Sequence, residues 1–430
     1  MSRPFPLYLG LRHLSGRRGR PSAHLLGSVL GIALSLVPLI VVLEVADGMI
    51  EGITRRYLEV GTYHAQVVLP LASAGEVAEA AAGLRAQPGV RYALAEQQGL
   101  GLAAGAGGRA AVTIRGVPAD LYRDDEGFRR YFRMEAGTFD LGSPGALLLG
   151  RDLAGRLGVG VGDRLRLLTL RGSGRSLPLV STFTVRGIFS TGYQELDKLW
   201  VYVPLEAAGR LLGEYGGERF IGLKVDDPFT GLARRLSRLD LPEEAEVYSW
   251  YQLEKASYKS FQTTRALLLF IMALIVVVAA VNVSSSLVMV VLEKTQEIAM
   301  LKAMGAGPAA IGMAFTITAL ATGLAGTALG LALGAAVAVN INALLAGLEG
   351  ILNLAGRAAF ILLSPILQLE RLPDVRLFNT EFYLEQIPVS LSFRELVTVA
   401  AATMLLSVLA AWLPARRAGG IRPLEVLRRS

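Results

Sequence analysis

The sequence predicts an α-helical membrane protein with four transmembrane helices and a mixed α/β domain inserted between helices 1 and 2. Three observations carry this. The composition, 52% hydrophobic and 18% charged over 430 residues, is too apolar for an ordinary soluble protein. Four runs contain no charged residue: Leu25 to Leu43, Ala266 to Leu292, Ala303 to Leu348 and Leu396 to Leu413. Each reaches the roughly 17 to 25 residues that a helix needs to cross the hydrocarbon core. Between the first two runs, helix-like and strand-like segments alternate with Gly and Pro turns, as in a folded domain.

The first unit, residues 1–46, opens on "LRHLSGRRGRPSAH", with Arg12, Arg17, Arg18 and Arg20 and no acid. Such a flank belongs on the cytoplasmic side. The span that follows is longer than the roughly 7 to 15 apolar residues of a signal peptide, so it stays as an anchor. Pro38 loosens it.

Residues 47–260 then lie outside. "GEVAEAAAGLRAQPG" reads as a helix, and "HAQVVLPL", "AAVTIRGVP", "RLRLLTL", "STFTVRGIFS" and "KLWVYVPL" as strands. The glycine-rich "GLGLAAGAGGRAA" does not run into a helix as a phosphate loop must, and reads as a flexible hairpin tip.

Span 2, residues 261–292, carries Asn282 and Ser284 to Ser286 near its end, where hydroxyls bond to their own helix or to a neighbour. Span 3, residues 308–348, sets Gly326, Gly330 and Gly334 four residues apart. Two overlapping GxxxG motifs on one face admit a close helix, in the same chain or a second subunit. Residues 349–395 hold four arginines and six acids, and the tail of the last unit, 396–430, five arginines against one glutamate. Both termini are therefore cytoplasmic, and the segment between spans 3 and 4 lies outside. The net charge of +7 resides largely in the two tails, where it meets anionic headgroups and gives no case for nucleic acid.

A search for chemistry finds little. There is no cysteine, and the histidines His13, His24 and His64 are scattered with no metal-ligand spacing. "VDDPF" at Asp226 and Asp227 is a turn. No serine sits in G-x-S-x-G and no Gly-Lys pair occurs, so neither a nucleophile elbow nor a P-loop is present. The chain is not expected to be an enzyme by itself. Because no ionisable group lies inside the uncharged runs, an ion-coupled carrier is also disfavoured, and energy must reach the spans from outside.

The short island "VVLEKTQEIAMLKAMGAG" (290–307) returns the chain to the cytoplasm between spans 2 and 3. Glu293, Glu297 and Lys302 keep it in water, while Ile298, Met300, Leu301 and Met304 offer an apolar surface of the adaptable kind that methionine makes. Gly305 ends the helix and Pro308 starts the next. Such a helix either transmits a push from a soluble partner or is a plain solvated connector.

The run "SWYQLEKASYKSFQTTRALLLFIMALIVVVAAVNVSSSLVMVVLEKTQEIAMLKAMGAG" resembles the second span and cytoplasmic loop of ABC permeases of the MacB/FtsX-like superfamily, and within it the lipoprotein-releasing Lol permeases. "LYLGLRHL" with the first span is similar to the family's amino-terminal segment, "GALLLGRDLAGRLGVGVGDRLRLLTL" to its periplasmic core, and "FYLEQIPVSLSFRELVTVAAATMLLSVLAAWLPARRAGGIRPLEVLR" to its last span and tail. The likeness covers nearly the whole chain.

What the resemblance implies is a permease of the bacterial inner membrane with a periplasmic domain. It pairs as a homo- or heterodimer and binds two copies of a separate P-loop ATPase, which holds the ATP and Mg. The loop 293–307, through Glu293, Glu297, Met300, Leu301, Lys302, Met304 and Gly305, is the implied ATPase contact. In the Lol branch a lipoprotein held between spans 1 and 2 is released from the outer leaflet to a periplasmic carrier; Ser35, Val42 and Val45 are candidates for the substrate side by location.

The family member that recruits the carrier has an extended hook before the strand matched here by "STFTVRGIF". This sequence has the shorter "RGSGRSLPLV", which leaves recruitment by this chain open. The stretch 355–378 before the last span is longer and more apolar than the resemblance implies. The alternatives are a mechanotransmitting permease for efflux or cell-wall hydrolase regulation without lipoprotein cargo, or a membrane-anchored binding module without an ATPase.

Overall fold

The computed structural model describes residues 8, 23–70, 72–169, 178–213, 217–367, 389 and 391–421. Parts of the short hook region, of the apolar stretch before the last span and of the basic tails fall outside these residues. The chain divides into a membrane unit and an outer unit.

Short helical turns aside, the helices are α1 (Ala23–Val60), α2 (Ala74–Arg85), α3 (Arg151–Leu157), α4 (Leu205–Leu212), α5 (Lys255–Glu293), α6 (Thr295–Ala303), α7 (Pro308–Val339), α8 (Ile341–Leu367) and α9 (Phe393–Gly420). Four of them, α1, α5, α7 and α9, are long and apolar enough to cross a membrane. Their inward faces meet through Ile32, Leu36, Ile40, Met272, Val276, Leu287, Ala319 and Ala411. Glycine sets the spacing. A Cβ on Gly326, Gly330 or Gly334 of α7 would come within 2.8 Å of Ile32, Leu36 or Ile40 of α1. The GxxxG face therefore packs on the first span of the same chain. On another side of α7, a Cβ on Gly323 would lie 3.0 Å from Ser407 of α9.

The uncharged run from Ala303 to Leu348 does not form one helix. Asn340 interrupts it with φ −96° and ψ 13°, and its side-chain amide caps the Ala336 carbonyl at 2.8 Å. Competition of this kind between side chain and backbone favours a helix end. The apolar residues after Asn340 belong to α8.

The outer unit is built on a mixed sheet of β1 (Ala65–Val68), β2 (Val90–Gly105), β3 (Gly108–Val117), β4 (Arg133–Gly137), β5 (Ala146–Gly150), β6 (Arg164–Thr169), β7 (Leu179–Ser190), β8 (Trp200–Pro204), β9 (Glu218–Val225) and β10 (Glu246–Ser249). Their order is β10-β1-β9-β2-β3-β8-β5-β7-β4, with β6 pairing β2 and β7. β3 with β8 and β5 with β7 run parallel, the other pairs antiparallel. One face packs Val112, Ile114, Leu147, Leu149 and Val201 under α3 and α4. Another region is aromatic, with Phe128, Phe132, Phe189 and Tyr202 in stacked and edge contacts.

The glycine-rich stretch is a hairpin, but not a flexible one along its length. β2 pairs with β3 out to Gly105 and Gly108, and the Gly107 amide donates to the Leu157 carbonyl at 2.7 Å. A Cβ on Gly105 would meet that same carbonyl at 2.6 Å, so glycine serves close approach to α3. Composition signalled mobility where packing needed the absence of a side chain.

Candidate functional site

At the inner ends of the spans, α6 is amphipathic in the sense the sequence suggests but with a different division of labour. Ile298 is buried against Val290, Val291, Ile311, Phe315, Ala415 and Ala418, and Ala299 is buried as well. Met300 and Met304 point outward, 50% and 77% exposed, beside exposed Glu293 and Glu297. Lys294 bridges to Glu297 at 2.6 Å, three residues along. Gly305 takes φ +99°, the left-handed conformation that ends a helix without strain only in glycine. Pro308 then occupies the first turn of α7.

Leu301 and Lys302 are half-buried. The Lys302 ammonium donates to the carbonyls of Gly419 and Ile421 at 2.8 and 2.6 Å. A cation at those carbonyls caps the C-terminal end of α9 and complements its dipole. A Cβ on Gly419 would lie 2.8 Å from the Pro308 carbonyl. The short helix, the start of α7 and the end of α9 are thus in direct contact, so a displacement of α6 acts on two spans. Sequence reasoning put Lys302 on the water side and missed this tie, because its acceptors lie over a hundred residues away and are backbone atoms.

At the outer ends of the spans lies a charged cluster that the uncharged windows concealed. Arg265 of α5 donates to Asp47 of α1 at 2.9 Å and to Glu395 of α9. Glu44, only 2% exposed, accepts the Ser392 amide at 3.4 Å. The expectation that the spans hold no ionisable group is corrected at their outer ends, since Glu44 and Asp47 are inside α1 and Glu395 inside α9. Each of Glu44, Arg265 and Glu395 sits one residue beyond an uncharged run, which was the available signal. Glu44 Oε2, Glu395 Oε2 and Arg265 Nε lack a partner among the described residues. Two carboxylates paired with one guanidinium, with Glu44 beside them, form a cluster with an excess of acid that joins three helices.

Ser35 bonds its hydroxyl to the Gly31 carbonyl of its own helix at 2.8 Å. Val45 is half-buried and Val42 is exposed. Val42 shares its exposure with Leu30 and Leu34, and Phe270, Ile271, Leu274, Val277, Val278 and Val281 of α5 are exposed too. Ser285 likewise bonds to its own helix, at Val281; the Asn282 side chain is outside the described residues.

In the outer unit, the C-terminal carbonyls of α1 are taken by buried cations. Arg115 donates to Val60 and Gly61, both at 2.8 Å, and bidentately to Glu96 at 2.6 and 2.9 Å. Lys224 donates to the Glu59 carbonyl at 2.6 Å and to Asp125. Burial works against the Arg115 charge, but Glu96 and the facing tyrosines outweigh it and hold its pKa above the ordinary value. Tyr63 follows with φ 60°, a conformation costly to a bulky residue. Its ring sits against Gly222, where a Cβ would come within 2.4 Å, and its hydroxyl bonds to Glu96. The last turn of α1 is therefore anchored to β2, β3 and β9 by buried, fully directed bonds.

Residues 25–233 match the family model of the MacB-like periplasmic core domain, and residues 269–423 that of the FtsX-like permease C-terminal region. The chain is a MacB/FtsX-like permease. Permeases of this kind are multi-pass transmembrane subunits of ABC transporters that act with an ABC ATPase. The permease is similar along its full length to the lipoprotein-releasing system transmembrane protein LolC of Xylella fastidiosa (strain 9a5c), 29% identical with 100% of both chains covered. It is 27% identical to the lipoprotein-releasing system transmembrane protein LolE of Haemophilus influenzae (strain ATCC 51907 / DSM 11121 / KW20 / Rd), over 98% of this chain and 99% of that one. The solved periplasmic region of MacB from Actinobacillus actinomycetemcomitans is 12% identical, covers 47% of the permease and 95% of its own chain, and superposes with a TM-score of 0.30.

Proposed function

We propose that the permease works in an ATP-driven complex that extracts lipoproteins from the outer leaflet of the bacterial inner membrane and hands them to a periplasmic carrier. The observation that carries the coupling half of this reading is the Lys302 tie, which links a water-exposed methionine surface to the end of α9. Glu293, Glu297, Met300 and Met304 form the surface offered to the ATPase, with Leu301, Lys302 and Gly305 setting its position. ATP and Mg belong to that separate chain. The cargo half is supported by the full-length likeness to proteins named for lipoprotein release. The exposed apolar sides of α1 and α5, near Ser35, Val42 and Val45, suit acyl chains and a second permease subunit.

The mechanism follows from rigid parts. Closure of the ATPase displaces α6, whose buried Ile298 packs it against α7 and α9. The glycine contacts of α7 carry the motion to α1. At the outer ends, rearrangement of the Arg265 cluster frees α1 and α5 to part and open the lipid-facing side. The second reading, a mechanotransmitting permease without lipoprotein cargo, uses the same parts and is favoured by the match to the FtsX-like region, which carries no statement of cargo.

A mild-detergent pull-down of the permease from its native membrane, with mass spectrometry of proteins and acyl chains, tests the proposal. An ABC ATPase and acylated proteins are expected with the wild type, and loss of the ATPase with Met304→Glu, which places a charge in the apolar contact. An ATPase without acylated protein removes the cargo reading and leaves the second. Retention of the ATPase by Met304→Glu contradicts the contact.

A further inference from the structure

Helix α8 carries its polar and apolar residues on opposite sides, and the apolar side is exposed. Asn342, Glu349, Asn353 and Arg357 share a stripe spaced by seven, four and four residues. Leu344, Leu348, Ile351, Leu352 and Leu354 cover the opposite side, roughly 160° of circumference at about 100° per residue. These leucines and the isoleucine are exposed, from 39% for Leu352 to 70% for Leu354; of the polar stripe, Asn342 and Arg357 are exposed as well and Glu349 and Asn353 are half-buried.

The start of α8 is fixed in depth. Only Asn340 separates it from α7, whose C-terminal end faces outward in the orientation that the arginine distribution predicts. A helix beginning one residue from the membrane surface, with a broad apolar side exposed, has the acyl boundary within reach. A coiled-coil seam with one partner helix needs only a narrow stripe; a side this broad matches a plane. A fifth crossing is disfavoured twice: Glu349 and Arg357 fall in the middle of α8, and it would carry the C-terminal arginines to the wrong side.

We infer that α8 lies in the headgroup–acyl boundary of the outer leaflet, with Leu344, Leu348, Ile351, Leu352 and Leu354 among the acyl chains and its Asn342–Glu349–Asn353–Arg357 stripe turned away from them. The occupant of the exposed apolar side is lipid. This does not depend on the cargo.

The absence of native cysteine makes a direct test available. Single cysteines at Leu348, Ile351, Leu354 and Asn353, labelled with an environment-sensitive fluorophore, would be measured in the full chain in lipid nanodiscs. Shallow spin-labelled phospholipid should quench the first three at least about threefold more than the label at Asn353, with aqueous iodide showing the opposite order. In the unsubstituted chain, a phospholipid carrying a photoactivatable diazirine near the glycerol should label the peptide 341–358. Equal quenching by iodide at all four positions overturns the inference. Absence of diazirine labelling overturns it as well, whether water or a second copy of the chain proves to cover the apolar side.

Discussion

Arg265 holds one positive charge between Asp47 and Glu395, with Glu44 close by, and the imbalance makes its two sides unequal. Removing the guanidinium leaves three acids facing each other; removing one acid relieves an excess. Arg265→Gln is therefore expected to destabilise the full chain in nanodiscs by about 1–3 kcal/mol, below the usual cost of breaking a buried pair because Arg265 is 42% exposed. Glu395→Gln is expected to be neutral or mildly stabilising by thermal unfolding under the same conditions. Equal losses for the two variants would contradict an acid excess. His64 gives a second residue-scale test. Burial pushes its pKa below the ordinary 6.5, with the nearby Glu59 carboxylate opposing that effect. The unfolded chain takes up a proton there before the folded one does, so the contribution to stability is intact above about pH 6.5 and declines below it. Nδ1 accepts the Val225 amide at 2.9 Å, and a protonated imidazole has no acceptor to offer. Exchange of the Val225 amide, corrected for its intrinsic rate, should accelerate from about pH 7 to about pH 5, and His64→Asn, whose carbonyl does not titrate, should remove that dependence.

Among the elements, α7 owes its place to what its glycines lack. Gly330→Leu is expected to cost about 1–3 kcal/mol of thermal stability by overpacking against Leu36 and Ala33. Gly347→Ala in α8, where a Cβ meets nothing within 4 Å, should be tolerated; equal behaviour of the two would contradict the close α1–α7 approach. The four spans and the glycine face were legible because hydrophobic run length and small-residue spacing are local signals. The sequence pattern left open which helix the glycines meet, and only the packing against Ile32, Leu36 and Ile40 identifies α1. The division of the third run at Asn340 was hidden for another reason: uncharged windows report solubility, whereas the break comes from a side-chain cap. The strands of alternating pattern were visible in β3, β6, β7 and β8, but the continuation of β2 through its glycines was not. Glycine serves both flexible turns and close packing, and composition does not distinguish them.

For the molecule as a whole, the directed contacts lie at ends: Lys302 on the carbonyls at the inner end of α9, Arg265 among the acids at the outer ends of the spans, and Arg115 and Lys224 on the last carbonyls of α1. Between them run long helices whose apolar sides define the membrane but specify little. This arrangement suits a transmitter of displacement. None of the three ties was readable from the sequence, since each joins residues distant in the chain and two of them end on backbone atoms. The outer sheet binds the last turn of α1, and the short helix carries the surface proposed for the ATPase.

The most direct test of this account is to reconstitute the permease with its ATPase and compare ATP hydrolysis with release of acylated protein for the wild type and Lys302→Gln. Lys302 faces the carbonyls of Gly419 and Ile421, so the variant should still bind the ATPase and sustain hydrolysis while release per ATP falls about tenfold, a loss of roughly 1.4 kcal/mol of coupling. Unchanged release per ATP in a correctly assembled complex would contradict transmission through the Lys302 tie.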